Sequence, residues 1–519
     1  DALCATYPAR DGRRKVDRPL MVQTFLYLHH ACLAYLRGID LGESASTSGD
    51  GTWSDLLIAE IRRSNEVAPL QASAALNADR AQALYMALSD HIQIMTLTLE
   101  AEDDPQVIFE TLNARGEPLL ASDLVRNFVF LEAARRGQPV PKLYQDYWSP
   151  FDLAAVGAKG VSANPYWREK ERQGRLTYPR IDLFFYNYTV LRSQEITLAS
   201  HVFQAFKAWW QKQPRELETE LGRIVAASGH FRELVSPEGT GYLAEFARLI
   251  RSLDVGTITP IYLALRERLD ADSDELRQAL GDLASYLTRR AVCGLTTKGY
   301  NRFFMRVLQA VSDPATEPQL ALRKVLLEAT AISDSWPDDA TFLYQWRYCK
   351  AYTDLRPAKT CGILRALEYA ARGRMQGSNH VPPQSELTVE HVMPQSWGRL
   401  ADYQIPDMTE AQQQTREMAV QGFGNLTLLT QPLNSSVSNG PFRDSVDEAG
   451  ERVLGKRSRL GQSALLMNTW FQQATLPEWD EAAISTRAHA LGKAALLVWP
   501  RPFEAPANPV AISAVLSGN

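Results

Sequence analysis

The segment 388–397 reads TVEHVMPQSW and sets Glu390 beside His391, just ahead of Pro394, in a chain with 8 histidines. A second segment, 424–442, reads GNLTLLTQPLNSSVSNGPF and contributes Asn425 and Asn434. Phosphodiester hydrolysis requires a base to take a proton from water and a divalent cation to offset charge on the phosphate and leaving oxygen. An imidazole, whose ordinary pKa is about 6.5, is such a base near neutral pH. A carboxylate and an amide oxygen are hard donors suited to Mg²⁺ (or Mn²⁺), which keeps several of its waters. Glu390, His391 and Asn434 are residues of those types.

The elements that must position them read as strand, insertion, strand, helix. ELTVEHV is short, β-prone and followed by Pro394, which predicts a strand running into a turn. NLTLLT (425–430) predicts the second strand, and Pro432 suits the first turn of a helix carrying Asn434. In the insertion, Thr409 and Gln412 form a T-x-x-Q capping box for a helix that Gly422 stops. Adjacent residues on a regular strand point to opposite faces. Glu390 and His391 therefore share one site only if the strand departs from regular geometry there.

Around this segment the chain is ordinary. With 519 residues it exceeds a single core, and 45% hydrophobic with 22% charged residues describes a globular protein. The net charge of −5 gives no global attraction to nucleic acid, so contact with DNA must come from local patches. Five scattered cysteines without a C-x-x-C predict free thiols and a cytoplasmic setting. No apolar run approaches the ~20 residues of a membrane span, and no secretory leader is visible. The first residue is Asp1, from which we expect the original start to be missing.

Helical periodicity dominates, and the expected fold class is mainly α. Residues 20–36 predict a buried helix, 104–116 a helix opened by Pro105, and 122–136 a helix with Ser122 as its N-cap. Pro- and Gly-rich breaks at 135–142 and 333–340 suggest regions 1–135, 136–340 and 341–519.

VEHVMPQSW with NLTLLTQPLN resembles the ββα-metal motif of HNH endonucleases. The fuller pattern GNLTLL…NSSVSN…F resembles the HNH domain of GmrSD-type modification-dependent restriction enzymes and of a phosphorothioate-sensing defence nuclease, over roughly 341–519. The resemblance implies that His391 is the general base and that Glu390 and Asn434 hold one Mg²⁺. Asn425, grouped with His391 in the catalytic set, then falls on the asparagine that braces the hairpin. It further implies DNA as partner, phage or host DNA carrying a modification, and a role in restriction. VIFETLNARGEPLLASDLVRNFVF (107–130) resembles the segment that closes the ParB-like N-terminal domain of the same proteins. That domain's nucleotide motif is not matched by DGRR (11–14), so a nucleoside triphosphate is not supported by this chain.

Other signals carry two readings each. Asn434 could cap a turn, and Asn439 before Gly440 reads as a turn or as an alternative ligand. Arg443, Lys456, Arg457 and Arg459 are candidate phosphate contacts, against a solvated basic surface. Residues 166–180 mix arginines with Tyr166, Trp167 and Tyr178, which suits nucleic-acid stacking or an exposed helix with aromatic anchors. Glu110, Asn113 and Arg115 line a ligand pocket or hold an inter-helix turn. Trp470, Trp479 and Trp499 are expected in the core. The rival function is a nucleotide-sensing or DNA-binding regulator with a silent nuclease site, and homo-oligomerisation is left open.

Overall fold

The computed structural model describes residues 19–45, 51–93, 119–152, 165–373, 381–431, 440–473 and 478–502, with isolated positions between them. The chain divides into two compact units, Asp1–Pro118 with Pro150–Glu169, and Leu119–Ser149 with Lys170–Asn519. The fold is mainly α, as the periodicity predicts. No helix among the described residues is long and apolar enough to cross a membrane. The five cysteines are free, and burial pushes the Cys293 and Cys349 thiols up to about 12, which leaves them unreactive.

In the first unit, helices α1 (Leu20–Leu36), α2 (Trp53–Arg63) and α3 (Ala78–His91) are described. Thr52 and Asp55 close a reciprocal capping box at the start of α2. Leu26, Leu57 and Ile61 form a small apolar cluster. The expected burial of α1 does not hold, because only Leu26, His30 and Ala34 are buried along it. An apolar stripe all round a helix says what could be covered, not what covers it. DGRR (11–14), the helix expected over 104–116, and Glu110, Asn113 and Arg115 lie outside the described residues.

The second unit begins with α4 (Ala121–Arg135). Ser122 is not its N-cap. It sits buried in the first turn, and its backbone N–H donates to Asp182 Oδ1 at 3.0 Å. The orphan donor is thus satisfied by a carboxylate 60 residues away rather than by a local side chain. Strands β1 (Lys170–Gln173) and β2 (Leu176–Pro179) pair antiparallel around a Gly174-Arg175 turn. Gly174 takes φ +62, the left-handed conformation a two-residue hairpin asks of its first central residue. This corrects the helical reading of 166–180.

Helices α5 (Arg180–Ser193), α6 (Val202–Gln211), α7 (Leu217–Val235), α8 (Tyr242–Leu253) and α9 (Thr259–Arg268) follow. Next come α10 (Asp274–Val292), α11 (Tyr300–Ser312) and α12 (Pro318–Glu328). α5 is buried on all sides, with Phe184, Phe185 and Tyr188 fully enclosed. Trp148 stacks on Phe185 with centroids 5.6 Å apart, and Trp210 meets Phe128 edge-on at 6.2 Å.

The break before 341, at 333–340, is not a loose linker. Arg289 and Arg290 of α10 are fully buried and hold its backbone carbonyls: Arg289 donates to Pro337 at 3.0 Å, and Arg290 to Ser333 at 2.6 Å and Ser335 at 2.7 Å. Beyond it lie α13 (Asp339–Tyr348) and α14 (Pro357–Arg372). Arg365 of α14 pairs with Glu245 of α8, which ties the helical scaffold to the last part of the chain.

Candidate active site

Strand β3 (Leu387–His391) pairs antiparallel with β4 (Leu426–Thr430), from Leu387 opposite Thr430 to His391 opposite Leu426. Both strands stand where the β-prone segments predict. Helix α15 (Glu410–Gln421) fills the insertion, and its Thr409–Gln412 capping box forms as expected. The last elements are α16 (Lys456–Gly461) and α17 (Glu481–Val498). Val392, Met393, Leu429, Phe442, Trp470 and Trp479 belong to one apolar cluster beside the hairpin. Trp499, like Trp470 and Trp479, is buried as expected.

Asn425 explains how a hairpin with so long an insertion keeps its register. It is fully buried. Its Oδ1 accepts from Met393 N at 2.7 Å and Trp479 Nε1 at 2.8 Å, while Nδ2 donates to Met393 O and Val420 O, each at 2.9 Å. Two acceptor sites and two donors saturate the amide. Asn425 therefore braces the backbone and has no polar capacity left for a substrate, which takes it out of the catalytic set and makes it a positioning residue.

Three further braces escaped the sequence reading. Arg487 of α17, fully buried, donates to Gly424 O at 2.9 Å and Leu426 O at 2.7 Å, and burial pushes its guanidinium down to about 9. Asn468 accepts from Thr427 Oγ1 and donates to Leu428 O at 2.9 Å. Glu368 of α14 accepts from Leu466 N at 2.7 Å and Met467 N at 3.0 Å. Each lies more than 35 residues from its partner, so no local spacing announces it. Gly424 itself leaves no room for a side chain, since a Cβ there would lie 2.2 Å from Ile484 O.

Register is regular through His391, so Glu390 and His391 leave the strand on opposite faces. The distortion that would bring both side chains to one face is absent. What links them is Lys456, whose Nζ lies 2.6 Å from Glu390 Oε1 and 2.6 Å from His391 O. Lys456 is 1% exposed. An ammonium held inside by two internal bonds is no surface phosphate contact, and that expectation for Lys456 is corrected.

The His391 imidazole sits edge-on to Tyr352, with centroids 4.5 Å apart. Its Nε2 lies 3.2 Å from Gln395 Nε2. An amide nitrogen donates, so this contact makes Nε2 the lone-pair nitrogen and places the ring proton on Nδ1. Burial, helped by the Lys456 ammonium and opposed by Gln421, pushes the imidazole down to about 4. At neutral pH the ring is uncharged and able to accept a proton.

The other arginines differ in kind. Arg443 is exposed and pairs with Glu478. Arg457 donates to Gln473 O at 2.6 Å and Arg459 to Leu454 O at 3.0 Å, so both bond neutral carbonyls and keep their charge uncompensated by these bonds. Asn434 and Asn439 lie outside the described residues.

Among the described residues no three His, Cys, Asp or Glu side chains are grouped to hold a metal ion. Glu390 is a hard oxygen donor with its side chain 16% exposed, and one of its oxygens already faces an ammonium. This donor set fits an ion that keeps most of its waters, as Mg²⁺ does, and does not make a dedicated cage.

A comparison with curated proteins found no match. Residues 336–494 match the family model for the C-terminal domain of GmrSD restriction endonucleases, a span that holds the hairpin, its braces, His391, Glu390 and Lys456. Residues 336–494 are thus similar to that C-terminal domain, which supports reading the chain as a GmrSD-like restriction protein.

Proposed function

We propose that this domain hydrolyses phosphodiester bonds in DNA as an HNH endonuclease, with His391 as the general base. The observation that carries the reading is the position of the His391 imidazole at the end of a braced hairpin, on a strand whose neighbouring Glu390 and backbone carbonyl meet at Lys456, within the span that matches the restriction-endonuclease domain. Attack of water on phosphorus requires a group that takes the proton as the bond forms. His391 takes it at Nε2, and the neighbouring Gln395 amide yields that lone pair when substrate water replaces it. In-line loss of the 3′ oxygen leaves 5′-phosphate and 3′-hydroxyl ends.

Although Glu390 leaves the strand on the face opposite His391, the Lys456 ammonium touches both Glu390 Oε1 and His391 O. It is at this end of the strand that Glu390, with Asn434, would hold Mg²⁺, whose chemistry is to offset charge on the phosphate and the leaving oxygen. Arg457, Arg459 and Arg443 grip flanking phosphates, Arg443 after leaving Glu478. Modified DNA of phage or host is the substrate, as in modification-dependent restriction, and a cytoplasmic location follows from that role.

His391→Ala tests the assignment. Incubated with modified plasmid and Mg²⁺, this variant loses cleavage by at least about 10²-fold, the usual worth of a general base, while circular dichroism shows a native helical signal. Cleavage at the parental rate would remove His391 from the mechanism.

A further inference from the structure

Lys456 is placed with unusual definition. It opens α16, where its backbone N–H donates to Pro441 O at 2.9 Å and the preceding Gly455 N–H donates to Asp444 Oδ1 at 2.7 Å. The stem thus starts from a fixed backbone and runs inward, and the ammonium meets Glu390 Oε1 and His391 O at the same 2.6 Å. A buried ammonium needs such partners, because an unpaired charge away from water is strongly disfavoured. The guanidinium of Arg487, one strand over, bonds only carbonyls and a hydroxyl, so it adds positive charge and removes none from Lys456.

From this geometry we propose that Lys456 is the resident counter-cation of Glu390, and that a divalent ion gains this carboxylate by displacing the Lys456 ammonium. The inference rests on reading the domain as a metal-dependent nuclease. Three positive charges drawn to one carboxylate repel one another strongly at contact distance, even with the screening typical near a protein surface. For the ammonium to withdraw, the four-carbon stem turns about its own single bonds while the backbone at 455–456 stays put. Lys456 is accordingly a positioning residue. It holds Glu390 and the His391 carbonyl in register without the ion, and it sets how tightly the ion binds.

Calorimetric titration of the full chain with Mn²⁺ tests this without reference to cleavage. Lys456→Met removes the competing charge and tightens Mn²⁺ binding by about tenfold or more, whereas Lys456→Arg keeps the charge and stays close to the parental affinity. Glu390→Gln abolishes the binding in either background, which ties it to this carboxylate. Affinity unchanged or weakened in Lys456→Met overturns the proposal. If the parental chain nevertheless binds Mn²⁺ and cleaves DNA, the nuclease reading stands while this inference falls. Should Lys456→Met fail to fold, ¹⁵N-lysine spectra of the parental protein decide instead. The buried Nζ resonance shifts on Mg²⁺ addition if the ammonium is displaced, and an unmoved resonance at saturation overturns the proposal.

Discussion

Among its described residues the second unit contains three antiparallel hairpins, and two of them reach their register by opposite means. β1–β2 is closed by a two-residue turn at Gly174, and its residues are exposed or half-buried. β3–β4 has no turn of its own, since residues 392–425 intervene, yet β4 is buried along Leu426–Leu429. Local turn chemistry sets the first register. The second depends on Arg487 of α17 and on Asn468, which satisfy its own carbonyls, on Trp479, which bonds the Asn425 side chain, and on Glu368 of α14, which holds the backbone at 466–467 beside Asn468. A hairpin held by its turn can tolerate distant change. One held from outside is sensitive to every brace, and it is the one that presents His391.

The comparison breaks most severely at Asn425. Asn425→Ala leaves Met393 N, Met393 O, Val420 O and the Trp479 indole without partners, at about 1–3 kcal/mol for each buried group that water cannot reach. Loss of about 3–5 kcal/mol in urea unfolding, together with loss of cleavage, is expected. Retention of stability would mean that apolar packing alone sets the β3–β4 register. Arg487→Met is milder, because the change also removes a charge that is costly to bury and replaces it with a chain of similar length. A loss of about 1–3 kcal/mol is expected, from the two orphaned carbonyls of Gly424 and Leu426.

The smallest effect belongs to the other hairpin. Gly174→Ala places a Cβ at φ +62 and costs about 1 kcal/mol, and nuclease activity in the same plasmid assay stays at the parental level. A Gly174→Ala enzyme without cleavage would show that the two hairpins are coupled.

The two hairpins also differ in how far they were legible. The β3 and β4 strands and the Thr409–Gln412 cap follow from short-range patterns that the structure reproduces, while the brace at Asn425 was implied by the family resemblance. Turn and cap chemistry is local, so sequence carries it directly. Lys456 was misjudged because a basic run, GKRSR, looks the same whether its first side chain points out or in. Only the fold reveals that Glu390 lies opposite. Arg487 and Asp182 act across 60 residues or more, and nothing near them in the chain marks the groups they satisfy. The β1–β2 hairpin was missed for another reason: KERQGRLTYP holds little apolar alternation, and the one Gly that dictates the turn was outweighed by charged helix formers.

The close approach of Gly424 to Ile484 has a temporal consequence. Gly424 and the residues just after it emerge from the ribosome about sixty positions before the helix that presses against them and whose Arg487 clamps them. A nascent chain ending before Glu481 lacks that clamp, so the imidazole is seated on a finished support only once α17 has been made.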